Sequence, residues 1–169
     1  RVGAVVEEIL LVLDDGRALF ESNAILGYFA EDTPFGGTDR WERAQLLQWM
    51  CFEQYSHEPF IATLRFWHMA KLLAQKTGEE IEAKRSGGEA ALAVMDAHLT
   101  SRAFFASERF TIADIALFAY THVAGDAGFE LARYPAVQRW IARVRAQPRF
   151  VPIDEDFGVR IARLAFERL

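Results

Sequence analysis

Apolar and polar positions follow two rhythms along this chain, and the change between them divides it. Ile9-Leu10-Leu11-Val12-Leu13 is an apolar run of strand length, and Ala18-Leu19-Phe20 offers a second, shorter strand. Residues 1 to about 13 therefore read as one strand, Val2 to Val6 included. Asp15-Gly16 between the runs is a turn dipeptide, because glycine accepts positive φ and aspartate can bond its own backbone. Ser22 then stands where an N-cap belongs, ahead of Ile25, Leu26 and Phe29 at helical spacing. This helix is predicted to end by Glu31, where Thr33-Pro34-Phe35-Gly36-Gly37 breaks it. From Thr38 onward the period is helical almost throughout.

The first long helical pattern runs from about Asp39 towards Gln75, with Asp39 or Thr38 as cap and Glu42 placed for a capping box. Pro59 predicts a kink or break inside it, since proline removes a backbone bond and clashes with the preceding turn. Trp41, Trp49, Phe52, Tyr55, Phe60, Phe66 and Trp67 are too many aromatics for one stripe. This element is expected to bury more than one face, against the bundle and against a partner, ligand or the small N-terminal unit. A second helix spans about Glu79 to Leu99, with Leu92, Met95 and Leu99 on one face. Gly87-Gly88 inside it points to close helix approach or to a local break.

Phe110-Thr111-Ile112-Ala113-Asp114-Ile115 is the clearest helix start: Thr111 at N-cap, Asp114 at N3, Phe110 and Ile115 as a hydrophobic staple. The body that follows is apolar nearly all round and belongs in the middle of a bundle. Tyr134-Pro135 opens another helix with proline at N1 and an inner stripe of Val137, Trp140, Ile141 and Val144, stopped by Pro148. The tail is acidic at Asp154 to Asp156 and amphipathic from Val159 to Leu169, which reads as a last helix lying on the domain.

Composition narrows the functional classes. A net charge of −5 argues against nucleic acid, which demands a basic stripe. With one cysteine, Cys51, no internal disulfide can form, and no apolar run is long enough for a membrane span. Glu7 and Glu8 interrupt the only apolar stretch that could serve as a leader, so a soluble, cytoplasmic protein is expected. At 169 residues the chain holds one domain, or one domain plus part of another.

The candidate chemistry lies where the second strand empties into a helix N-terminus. Bare backbone N–H groups there attract carboxylates or phosphates. Glu21 adds an acceptor and Ser22 a hydroxyl, a pair suited to a zwitterionic amino-acid head; the plainer alternative is a helix cap beside a solvated charge. Elsewhere Cys51, among Trp49, Met50 and Phe52, reads as a buried small hydrophobe. Glu53 and His57 at i, i+4 lack a third metal ligand and read as a helix-surface pair. His68 and His98 show no ligand spacing, no metal is expected, and His122 reads as a hydrogen-bonded core histidine.

Asp-Gly-Arg-x-Leu-x-Glu-Ser-Asn-Ala-Ile-Leu-x-Tyr-x-Ala, over Asp15 to Ala30, closely resembles the second half of the thioredoxin-like domain of soluble, bacterial-type glutathione S-transferases. The Thr111-x-x-Asp114 box and the Tyr134-Pro-x-Val-x-x-Trp140 segment resemble the helical domain of the same family. The resemblance, covering roughly Leu11 to Pro152, implies a mostly α fold. A partial thioredoxin-like unit of two strands and a helix (1–35) precedes an all-helical C-terminal domain (38–169). It implies glutathione as co-substrate, its ammonium on Glu21 and its carboxylate on Ser22. The reaction implied is attack of the glutathione thiolate on a small hydrophobic electrophile, as in detoxification, by a homodimer. Tyr55, Phe60, Arg65, Phe66 and Tyr120 are the candidate walls of the electrophile pocket, with core packing as the alternative for each.

Two departures from the family pattern bear on catalysis. Arg1 to Leu13 holds no Ser, Tyr, Cys, Thr or Pro, so neither the thiol-activating residue nor the proline before the Asp-Gly turn has a counterpart. The catalytic residue is therefore unassigned. Either it lies upstream of these residues, or the chain is a glutathione-transferase-like binding or scaffold module without chemistry. Isomerisation, peroxide reduction or dehalogenation by glutathione would leave the same traces.

Overall fold

The computed structural model describes residues 10–152. Within it β1 (Leu10–Val12) and β2 (Ala18–Phe20) pair antiparallel, with Leu11 opposite Leu19. The hairpin closes as the turn dipeptide requires: Leu13 N–H donates to Arg17 O at 2.8 Å, and Gly16 takes φ 84°. α1 (Ser22–Ala30) follows directly. The expectations for Val2 to Val6 and for the helical tail after residue 152 lie outside the described residues.

The long helical pattern resolves into pieces. α2 (Arg40–Phe52) is capped by Asp39, whose carboxylate accepts Glu42 N–H at 2.8 Å. A π-helical turn over Glu53–His57 joins it to α3 (Glu58–Met69). Pro59 sits in the first turn of α3, where a missing N–H is best tolerated, and the irregularity precedes the proline. α4 (Gly78–Leu99) opens with a capping box that the sequence reading passed over. Glu80 N–H donates to Thr77 Oγ1 at 3.1 Å and Thr77 N–H to Glu80 Oε2 at 2.7 Å.

α5 (Ile112–Thr121) is the axis of the bundle and packs on α1, α2, α3 and α6. Seven of its ten residues are buried and only Ala119 is exposed, as its apolar circumference demands. Asp114 Oδ2 accepts both Thr111 N–H and Thr111 Oγ1–H at 3.0 Å. Its Oδ1 accepts Phe105 N–H at 3.2 Å and Trp140 Nε1–H at 2.9 Å. α6 (Pro135–Arg145) buries Val137, Trp140, Ile141 and Val144. Its first turn is capped from α4, since Asp96 Oδ1 accepts Ala136 and Val137 N–H at 2.7 and 3.0 Å. Gly87 and Gly88 stay inside an unbroken α4, where a Cβ would run into the rings of Phe60 and Phe129 respectively. Close packing against α4, by α3 at Gly87 and by the segment carrying Phe129 at Gly88, and not a break, accounts for both glycines.

Candidate functional site

β2 does not enter α1 through a serine cap. Glu21 occupies the N-cap position at φ 69°, ψ 119°, and Ser22 is already helical. The expected role of Ser22 as N-cap is therefore corrected by one residue. The cause is the left-handed φ of Glu21, a strained conformation for a residue with a side chain. Its consequence is chemical. The first intrahelical bond runs from Ile25 N–H to Glu21 O at 3.0 Å, which leaves the N–H groups of Ser22, Asn23 and Ala24 without helical partners. The exposed Ser22 hydroxyl makes no hydrogen bond among the described residues, so the helix opens with free donors beside a carboxylate.

Asn23 ties this turn to the helical layer. Its Nδ2 donates to Met50 O at 3.2 Å and to Glu53 Oε2 at 3.0 Å. Gln54 Nε2 donates to Glu53 Oε2 at 2.9 Å and to Glu58 Oε2 at 2.8 Å. Burial raises the pKa of both carboxylates; for Glu58 the nearby charge of Glu21 adds to it.

Alongside lies a groove of about 1180 Å³ between α1, the 31–38 linker and α2, with Glu21, Asn23, Met50, Cys51, Gln54 and Tyr55 among its walls. Cys51 is exposed on this groove, against the expectation of a buried hydrophobe, because the buried stripe of α2 passes through Leu46, Trp49 and Met50. Nor are Glu53 and His57 a surface pair. Both are buried, and the π turn sends them to different partners. His57 Nε2 lies 2.8 Å from Thr121 Oγ1, whose hydroxyl donates onward to Leu117 O at 2.6 Å, so the ring nitrogen is the donor. Burial lowers the His57 pKa to about 4, which keeps the ring neutral. His122 is half-buried, its Nδ1 2.6 Å from Phe118 O, and burial lowers its pKa too. Among the described residues no group of three or more His, Cys, Asp or Glu could hold a metal, and no helix is long and apolar enough to cross a membrane.

The linker is clamped by Arg109, which also lines the groove and which no local pattern in the sequence marks. Arg109 pairs with Glu42 through two bonds, Nη1 to Oε1 at 2.6 Å and Nη2 to Oε2 at 2.8 Å. It also donates to Pro34 O at 2.9 Å and to Gly36 O at 2.8 Å. The guanidinium, helped by Thr38, holds the Glu42 carboxyl down at a pKa of about 2.

Residues 48–148, well over half of the chain, match the family model for the glutathione S-transferase C-terminal domain. The crystal structure of a glutathione S-transferase from Pseudomonas fluorescens Pf-5 is 46% identical, with a TM-score of 0.82 over 85% of this chain and 71% of that one. This chain belongs to the glutathione S-transferase family. A second glutathione transferase family member from the same organism, solved with two glutathione molecules bound, is 28% identical, with a TM-score of 0.67 over 78% of this chain and 61% of that one. Elongation factor 1-gamma of Danio rerio is 35% identical over 81% of this chain. The chain spans about a third, 31%, of that protein's length.

Within this glutathione S-transferase fold the predicted site residues separate. Glu21 lies at the lip of the groove, and Ser22 beside it points to solvent. Tyr55, 81% exposed, shares the groove with Glu21. Phe60 packs against Gly87 with Lys84 Nζ 5.4 Å above its ring, and Arg65 pairs with Asp126 at 2.9 Å. Phe66 is exposed on α3, and Tyr120 on α5 packs against the core. Thr111 and Asp114 are buried and do not line the groove, although Ile112 between them does.

Proposed function

We propose that this chain binds glutathione by its γ-glutamyl end at the Glu21–Ser22 turn, and that the protein transfers the glutathione thiolate to a small hydrophobic electrophile. One observation carries the reading: a helix N-terminus with free N–H groups and a free serine hydroxyl, next to a carboxylate held at φ 69°. The donors suit the α-carboxylate and Glu21 suits the ammonium. Residues 1–35 then act as part of the glutathione-binding unit and 38–169 as the helical domain. Tyr55 is the electrophile-side wall favoured here, because it alone of the five candidates borders the groove with Glu21. The catalytic group stays unassigned. A homodimer is part of the same proposal, since Tyr28 and Phe29 on α1 and Trp41, Leu47 and Tyr55 around α2 leave a large apolar area exposed. A monomer in sedimentation at micromolar concentration would remove the dimer from the proposal.

Similarity to elongation factor 1-gamma favours a second reading, in which the fold serves docking without chemistry. Calorimetry and initial rates separate the two. Glutathione is expected to bind, and Ser22→Ala to weaken it by about 1.5–3 kcal/mol, the worth of a hydrogen bond to a charged group. An unchanged dissociation constant would remove Ser22 from the site. Rates above background with a chromogenic aromatic electrophile across pH 6 to 9 support the transferase; binding without turnover supports the docking module.

A further inference from the structure

α5 is apolar nearly all round, yet one strip of it lacks cover among the described residues. Ile115 is half-buried, and Ala119, one turn on and on the same side, is exposed. Ile115 is also a wall of a second groove, of about 290 Å³, which it shares mainly with Phe110, Phe118, Val144, Phe150 and Val151. That volume lies at the lower bound of small-ligand pockets, and the walls are mostly apolar, so the groove suits large apolar side chains better than a ligand needing polar anchors. The chain itself is delivered there. After α6, Arg149 takes φ 64°, a left-handed and strained conformation for a residue with a side chain. Phe150 then sets its ring edge-on to Phe118 at 5.6 Å, while Val151 remains 81% exposed. Residues 153–169 continue from this point. In them Phe157, Ile161, Ala165 and Leu169 recur every fourth residue, on the side of a helix away from Arg160, Arg163 and Glu167. Charge agrees with the pattern. Arg145 and Arg149 are exposed at the exit and make no ion pair among the described residues, and Asp154, Glu155 and Asp156 follow at once.

We propose that residues 153–169 dock back on this face as a helix. Phe157 and Ile161 fill the groove, the rest of the row covers the strip at Ala119, and the carboxylates of 154–156 lie against Arg145 and Arg149. The segment acts as a clasp. It closes over Phe110, whose ring meets that of Phe35 in the linker at 6.1 Å, and so holds α5, the end of α6 and the linker together. This proposal stands apart from the reading of the Glu21–Ser22 turn and survives if that reading fails.

The test places the photo-crosslinker p-benzoylphenylalanine at Gln147, a wall of the groove on its rim, in the full chain. Irradiation, digestion and mass spectrometry are expected to find crosslinks within one chain to residues 157–165. Ile161→Asp should remove them and lower the thermal midpoint by roughly 5 °C, the scale of one buried aliphatic side chain. Arg163→Asp, on the polar side, should change neither. Reversing the exit charges with Arg145→Glu and Arg149→Glu should weaken the crosslink and lower the midpoint, and adding Asp154→Lys and Asp156→Lys should restore both. Crosslinks to a second copy or to residues 1–9 would assign the face to another occupant and overturn the proposal. So would the absence of any crosslink, an Ile161→Asp variant that keeps the parent's crosslink and midpoint, or no rescue by the reversed charges. Should the crosslinker at Gln147 prevent folding, the midpoints of Ile161→Asp, Arg163→Asp and the charge-reversal series in the unlabelled protein decide alone.

Discussion

Asp114 collects four donors in a fully buried position: Thr111 N–H and Oγ1–H, Phe105 N–H and Trp140 Nε1–H. Burial raises its pKa, and the donors oppose that by favouring the anion. The residue thus joins the α5 cap, the loop before it and α6 through one carboxylate. Asp114→Ala strands those donors and should cost about 3 kcal/mol or more, beyond the loss of a simple cap. Asp114→Asn keeps one acceptor oxygen and should fall between parent and alanine variant. Urea denaturation midpoints check both; equal midpoints for alanine variant and parent would mean the carboxylate is not what joins these elements.

The packing against α4 shows why a residue's intrinsic helix preference is a poor guide to its effect. Gly88→Ala gains about 1 kcal/mol in propensity. The added methyl, however, meets the buried ring of Phe129, and such overpacking costs about 1–3 kcal/mol. We expect net destabilisation. Gly78→Ala, where nothing lies within 4 Å, should be neutral or slightly stabilising. Thermal midpoints of the pair decide it, and a Gly88→Ala variant more stable than the parent would contradict the packing. The helices themselves were legible because their signals are local: Thr111 three residues before Asp114, proline at the start of α6, and the Val137–Trp140–Ile141–Val144 stripe. The turn into α1 was visible too, one residue out of place, since sequence spacing does not report that Glu21 adopts positive φ. What stayed hidden is non-local. Asn23 meets Glu53 across 30 residues and Arg109 meets Glu42 across 67, and no local pattern marks either pair. The π turn was hidden for another reason. It shares its residue preferences with the α-helix around it, so the burial of Glu53 and His57 and the exposure of Cys51 could not be read from spacing.

At the scale of the whole molecule, the Arg109–Glu42 clamp fastens the linker after α1 onto the helical bundle, together with the bond from Ile112 N–H to Phe35 O at 3.1 Å. The folded-state pKa of Glu42, about 2, lies below its ordinary 4.5. Its stabilisation is therefore fully present above pH 4.5 and is lost as the pH falls towards 2. Glu42→Gln should be less stable than the parent at pH 6, and the gap should shrink progressively from pH 4.5 downward. A gap independent of pH would show that the ionised pair is not what stabilises this junction. The same clamp bears on the order of folding. Its bonds to the linker carbonyls span 73 and 75 residues, so the chain must close a long loop before any of them can form. Contacts of that kind belong to the late side of the folding barrier. Weakening them should leave the refolding rate nearly untouched and show itself as faster unfolding, so the junction governs how long the assembled protein lasts more than how quickly it is made.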